Sequence, residues 1–306
     1  MQKKGNKSLD MASTTYLFTS SMVHHADMMT AMSRLSDQFQ LTAPHFQSKQ
    51  SDICQAARAY AESQLELGLL RQAAAELSLD ANELTMTNTP KALLMADMDA
   101  TIIRGESLDE LATLAGIGPE IAQITARAMA GDLDFEAALT ARLSLLAGEE
   151  AGLLDKVIEN TVITNGAATL LATMRGQGHH AYLVSGGFTF LTNHVAAKLG
   201  FSGHYANEIE IKNGLLSGGF LPPLLDKSAK ARILAELCSQ HDITSQDVIA
   251  VGDGANDMAM LTAAGLGIAF EGKPALRAQI SDQLSFSDLS ALLYLQSYDR
   301  ADFITP

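Results

Sequence analysis

The chain has 306 residues, 47% of them hydrophobic, and a formal net charge of −14. That is enough for a sizeable core in two domains, or in one large domain with an insertion. The acidic balance excludes broad electrostatic binding to nucleic acid or anionic membrane, although a metal and one or two cations can still admit a small anionic substrate. The two cysteines, Cys54 and Cys238, have neither disulfide-framework nor metal spacing, so a reducing cytoplasm is the simplest setting.

The first ten residues read as a disordered tail, with Met11 as an alternative start, and MQKKGNKSLDMASTTYLF lacks a secretory apolar core. No run of about 18 apolar residues predicts a membrane span. Residues 1–88 form an N-terminal domain of uncertain role, read as a packing module or as a surface for homodimer formation. Within it the Ala and Leu spacing of SDICQAARAYAESQLELGLLRQAAAEL, residues 51–77, predicts a helix. DANELTMTNTPK, residues 80–91, reads as a connection, because Pro90 bars a helix and pushes Thr89 toward an extended backbone.

Residues 89–306 carry a clearer pattern. ALLMA (92–96), AYLV (181–184) and VIAV (248–251) are short apolar runs suited to strands buried on both faces. Helices are predicted between and after them at 167–175, 188–200, 229–240 and 256–265. Alternating strand and helix implies an α/β fold with a doubly wound, mostly parallel sheet. Between the first two strands, residues 107–162 read as four short amphipathic helices. They make a helical-bundle cap insertion over about 107–165. YANEIEIKNGLLSGGF suggests a hairpin turning at Asn213-Gly214.

Each of the three apolar runs ends in polar residues: Asp97-Met98-Asp99, then Ser185-Gly186-Gly187, then Gly252-Asp253-Gly254-Ala255-Asn256-Asp257. The carboxyl ends of strands in an open α/β sheet border the ligand crevice. Carboxylates gathered there need a cation, and Mg²⁺, a hard ion that takes oxygen ligands and substrate phosphate, meets the need. One aspartate of the DxD pair can then attack phosphorus while its neighbour handles the proton. Ser185 and the glycines after it can cradle phosphate, and Lys230 can supply a point charge to the transferring group. Taken singly each signal has a blander reading: a capped turn for DxD, a surface position for Lys230, an Arg142–Glu149 surface pair, a dipole-favoured helix start for Glu106. The histidine pairs His24-His25 and His179-His180 find no third ligand at metal spacing.

Taken jointly, Asp97-Met98-Asp99-Ala100-Thr101, Ser185-Gly186-Gly187, Lys230 and Gly252–Asp257 resemble the four motifs of the haloacid dehalogenase (HAD) superfamily. RGESLDELA, ARAMAGDLDFEAALTARLSLL, VSGGF, YANEIEI and IAVGDGANDM resemble the phosphoserine phosphatase family within it, over residues 91 to about 300. The resemblance implies a Mg²⁺-dependent phosphatase that hydrolyses O-phospho-L-serine, a small phosphomonoester, through an aspartyl-phosphate in the last step of serine biosynthesis. It implies Asp97 as nucleophile and Asp99 as acid/base. Metal ligation would fall to Asp97, the main-chain carbonyl of Asp99, and Asp253, with Asp257 behind them. Glu106 matches the residue that takes the substrate ammonium and Arg142 the one that takes its carboxylate. Ser185, Gly186, Lys230 and Asn256 match the phosphate contacts, and Met129 and Phe135 match apolar cap residues. Ala100 departs from the family, which usually has Ser there. Two rival readings stay open: a HAD phosphatase or phosphotransferase for another small phosphorylated amine or alcohol, and a phosphate- or metal-sensing module without turnover.

Overall fold

The computed structural model describes residues 14–49, 54–129, 132–226 and 228–306; the side chain of Met129 and the predicted N-terminal tail lie outside what is described. Its larger sheet has the order β11-β10-β9-β5-β6-β7-β8. β5 (Leu93–Ala96) lies between β6 (His180–Phe188) and β9 (Val248–Gly252), parallel to both. β10 (Leu266–Phe270) and β11 (Asp282–Leu284) continue it in parallel, while β8 (Leu215–Leu221) turns back antiparallel to β7 (Gly203–Lys212). Asn213 and Gly214 at that turn have φ of 53° and 79°, the backbone a tight hairpin demands.

The central strands alternate between two apolar layers, as a strand covered on both faces must. Leu94, Ala96, Ile249 and Val251 enter the layer closed by α7 (Ala167–Gly176), α8 (Thr189–Leu199) and α12 (Ala291–Leu295). Leu93, Met95, Val248 and Ala250 enter the opposite layer under α9 (Ala229–Gln240) and α10 (Met258–Ala263). All eight residues are fully buried, so truncating a leucine here would cost about 2–5 kcal/mol. β5 has the next strand, β6, on one side and the much later β9 on the other, so the strand order reverses there and its carboxyl end borders the crevice of the sheet.

The insertion after β5 folds as α3 (Ser107–Leu114), α4 (Gly118–Met129), α5 (Phe135–Leu145) and α6 (Leu153–Asn160). Its two ends are tied into a short stem. Ile103 bridges Ile163 antiparallel, Arg104 N donates to Val162 O at 2.9 Å, and Thr164 N donates to Ile102 O at 3.0 Å. The cap therefore stands on two strands of chain close to Asp99.

The N-terminal part corrects two expectations. Residues 51–77 do not make one helix: β3 (Gln55–Ala61) precedes α2 (Leu67–Ala75), and residues 51–53 are not described. Alanine favours a helix intrinsically, but the alanines of QAARAYA pack between two neighbouring strands, and tertiary pairing overrides a propensity of a few tenths of a kcal/mol. Residues 80–84 of the expected connection are β4 (Asp80–Leu84), paired with β1 (Thr14–Ser20). With α1 (His25–Phe39) and β2 (His45–Phe46), these elements make an antiparallel sheet of order β2-β3-β1-β4, a split βαβ arrangement. Tyr16 and Phe18 face its helices, whereas Leu17 and Ala56 share a core with α12 of the larger sheet. The small sheet is thus clamped between its own helices and the rest of the protein.

Candidate active site

The three polar strand ends meet as the sequence predicts. Asp97 follows β5 directly, its N bonded to Val251 O at 3.0 Å, and its Oδ1 accepts from Met98 N at 2.8 Å. The chain then turns sharply. Ala100 takes φ 53°, and its N donates to Gly105 O at 2.9 Å, which closes a tight loop just beyond Asp99. Asp99 Oδ1 accepts from Ser107 N, the first residue of α3, at 2.7 Å, and Oδ2 accepts from Ser185 Oγ at 3.2 Å. The glycines after Ser185 leave room for this: a Cβ on Gly187 would sit 2.8 Å from Asp99 Oδ2. Asn207 Nδ2 holds Gly186 O at 2.8 Å and so fixes that loop from β7.

Lys230, in the first turn of α9, is no surface lysine. It is 4% exposed, and its Nζ lies 2.7 Å from Asp97 Oδ1 and 2.6 Å from Asp257 Oδ1. Asp257 Oδ2 also accepts from Gly254 N at 3.0 Å. Burial alone would depress the Lys230 ammonium, but the two carboxylates outweigh it and hold the lysine protonated. Burial, with Asp257 adding to it, pushes the Asp97 carboxyl above the ordinary range, and Lys230 pulls against this. Burial likewise raises Asp99, opposed by its bonds to Ser107 and Ser185.

Carboxylate oxygens of Asp97, Asp253 and Asp257 lie within 4.8 Å of one another, all buried. Such a hard, all-oxygen set fits Mg²⁺ and offers nothing to a soft metal. Asp257 has both oxygens engaged, by Lys230 and by Gly254. Asp97 and Asp253 each keep an oxygen with no hydrogen-bond or ion-pair partner among the described residues, which makes these two the available ligands.

Asp97 and Asp99 floor a cavity of about 340 Å³ whose roof is the cap. Phe135, Ala138, Leu139 and Arg142 line it from α5 at the i, i+3, i+4, i+7 spacing of one helix face. Thr125 and Ala128 line it from α4, and Glu106 from the start of α3. Arg142 makes no ion pair with Glu149 among the described residues; its Nε bonds to Ala138 O at 3.3 Å, and Glu106 and Asp109 are the acids it feels. Burial and the nearby Asp99 push Glu106 up to about 7 against the pull of Lys273. Ser185, Gly186, Asp253 and Asn256 complete the floor, with Lys230 in a small adjoining recess.

Two contributors were not anticipated. Lys273 lines the cavity and lies 3.0 Å from Asp253 Oδ2, and Asn207 acts from beneath. Lys273 follows β10, whose run LGIAF has the apolar strand pattern of its neighbours; treating that run as a fourth strand would have pointed to the polar residues after it.

A parallel sheet with an Asp-x-Asp turn after its central strand, a buried lysine over the first aspartate and a helical lid defines a capped hydrolase. The chain belongs to the haloacid dehalogenase-like hydrolases, whose family model matches residues 94–262. It is similar to the phosphoserine phosphatase of Archaeoglobus fulgidus, with 38% identity over 225 residues; the match covers 73% of this chain but only 65% of that protein, just under two thirds of its length. Among solved structures, a HAD family hydrolase of Salmonella enterica superposes with a TM-score of 0.83 at 28% identity, covering 92% of this chain and 98% of that one. A probable phosphoserine phosphatase of Vibrio cholerae superposes with a TM-score of 0.78 at 30% identity, covering 92% and 86%.

Proposed function

We propose that the protein is a Mg²⁺-dependent phosphatase that hydrolyses O-phospho-L-serine to serine and phosphate. The reading is carried by one arrangement. Asp97 and Asp99 share the cavity floor with Lys230 beside them, while Glu106 and Arg142 line the walls above. An acid for an ammonium and a guanidinium for a carboxylate suit the two ends of an amino acid whose side chain carries the phosphate. The names of the similar proteins favour the same substrate.

In this reading Asp97 attacks phosphorus in line, and Asp99, whose carboxyl burial raises above the ordinary range, gives a proton to the departing serine oxygen. Asp99 then takes a proton from the water that cleaves the aspartyl-phosphate. Lys230 neutralises charge on the transferring oxygens, and Ser185, Gly186 and Asn256 orient them. Bound at Asp97 and Asp253, Mg²⁺ would supply Lewis-acid stabilisation of the phosphoryl charge. Phe135 and its neighbours on α5 exclude water from above, and the bond from Ser107 to Asp99 links the cap to the acid. The small substrate and the absence, among the described residues, of a helix able to cross a membrane suit a cytoplasmic setting.

The test is phosphate release from O-phospho-L-serine with Mg²⁺ and with EDTA, beside phosphoethanolamine, phosphothreonine and p-nitrophenyl phosphate. Metal-dependent preference for phosphoserine is expected. Turnover of the other esters alone would keep the aspartyl chemistry and overturn the substrate.

A further inference from the structure

Among the described residues, Lys273 is the one cation that ion-pairs both with an acid of the sheet and with an acid at the root of the cap. Its Nζ lies 3.0 Å from Asp253 Oδ2, on the loop after β9, and 3.9 Å from Glu106 Oε1, at the root of the cap. Among the described residues neither acid has another ion-pair partner. Lys230 is committed to Asp97 and Asp257. The main chain of Lys273 is pinned on both sides. Its N donates to Asp253 O at 2.8 Å, and its O accepts from Leu276 N and Arg277 N at 2.9 and 3.1 Å. Pro274 at the first turn of α11 (Pro274–Arg277) holds it extended, with φ −60° and ψ 150°. The stem is fixed at its base, and the side chain, 48% exposed, has room to move.

We propose that Lys273 is a built-in counter-cation that competes with a divalent metal for Asp253 and withdraws toward Glu106 when the metal arrives. The inference rests on the metal-dependent reading above. A lysine suits the task because it is a compact point charge on a flexible stem, whereas an arginine fork could hold Asp253 through two parallel bonds. A cation settling on Asp253 must share that carboxylate with an ammonium 3.0 Å away or displace it. Displacement is easier with a second acid within one small swing, and Glu106 is that acid. Lys273 is then a positioning residue for metal and cap, not a group that touches the reacting atoms.

The experiment is calorimetric titration of Mg²⁺ into the full chain at low ionic strength, without substrate, for the wild type, Lys273→Met and Lys273→Arg. Lys273→Met keeps the aliphatic stem and is expected to tighten Mg²⁺ at least threefold. Lys273→Arg should stay within twofold of the wild type or weaken. Raising the salt to about 0.5 M should narrow the gap, since the lysine is half-exposed. Glu106→Gln should weaken Mg²⁺ more in the wild type than in the Lys273→Met background, because only the former needs somewhere to send its ammonium. If Lys273 merely braces α11, Lys273→Met will lower the melting temperature and leave Mg²⁺ affinity unmoved or weaker, which overturns the proposal. Should that happen while the wild type still binds Mg²⁺ and hydrolyses phosphoserine, the functional reading survives without it. A wild type that binds no Mg²⁺ removes both.

Discussion

The side-chain amide of Asn82 pairs with the main chain of Gln283 as a neighbouring strand would. Its Oδ1 accepts from Gln283 N at 2.9 Å, and its Nδ2 donates to Gln283 O at 2.9 Å. Asn82 is on β4, the edge of the small sheet, and Gln283 on β11, the edge of the large one. Two edges that would otherwise offer open ladders are thereby closed against each other. Asp80 extends the seam, accepting from Ser285 N at 2.7 Å and Phe286 N at 3.0 Å. Arg71 adds bonds to Ala81 O and to Ser281 O.

Replacing Asn82 with Leu fills the same space and removes both bonds, together with the one that Arg71 Nη2 donates to Asn82 Oδ1 at 3.0 Å. Two partly buried main-chain groups of Gln283 lose their partners, at about 1–3 kcal/mol each at most. Urea unfolding should show a lower midpoint with an unchanged slope. An unchanged midpoint would mean that Asp80 and Arg71 hold the seam without it.

The seam also shows where the sequence was hard to read. The catalytic half was legible because its strands are continuous apolar runs and its chemistry sits directly at their ends, at Asp97, Ser185 and Asp253. The hairpin announced itself through Asn213-Gly214. The N-terminal half offers no such contrast. QAARAYA has alanines where a strand buried on both faces wants small residues, and only the pairing of β3 with β1 distinguishes it from a helix. DANEL carries two acids and an amide because its edge meets another sheet through side chains, so its polarity reads as a loop. Within the site, a role for Lys230 was read from its companions, though not its burial, and Asn207 could not be read at all: its role depends on β7 passing under Gly186.

Asp97→Asn keeps the shape of the side chain and removes the charge of the proposed nucleophile. Turnover should fall on the order of 10⁴-fold or more, as when a group that acts as part of a unit is lost. Asp99→Asn, which removes only the proton carrier, should cost roughly 10²–10⁴-fold. Phosphate-release assays and circular dichroism on both variants check this. Substantial turnover by folded Asp97→Asn would mean another group attacks.

With Glu106 as the proposed ammonium partner, substrate choice is expected to depend on pH. Its carboxyl, raised to about 7, is ionised above that pH and protonated below it. A protonated Glu106 offers no charge to an ammonium. The ratio of kcat/KM for phosphoserine to that for phosphoglycolate, which lacks the ammonium, should therefore be full near pH 8. It should fall by up to about tenfold per pH unit below 7. Titration of Asp97 and Asp99 affects both esters and cancels in the ratio. A flat ratio between pH 5.5 and 8 would remove Glu106 as the ammonium partner.

Arg142→Ala opens the cap wall opposite the acids. Loss of charge-assisted bonds to a carboxylate is expected to raise KM for phosphoserine by roughly 10–100-fold. Phosphoethanolamine has no carboxylate and should change by less than about threefold. Equal losses on both esters would point to a packing role for the arginine in the cap.

Lys230 ties stability to the same charges that serve the chemistry. Its ammonium is the partner of two buried carboxylates, Asp97 and Asp257. Lys230→Met leaves them facing each other at a cost of about 3–5 kcal/mol, the usual result of breaking a buried ion pair from one side. A divalent cation bound to Asp97 and Asp253 would restore part of the missing positive charge. Saturating Mg²⁺ should therefore raise the melting temperature of Lys230→Met by more than it raises that of the wild type. Activity should remain low in both conditions, since the charge on the phosphoryl oxygens is still missing. Equal shifts in the two proteins would indicate that metal and lysine do not act on the same carboxylates.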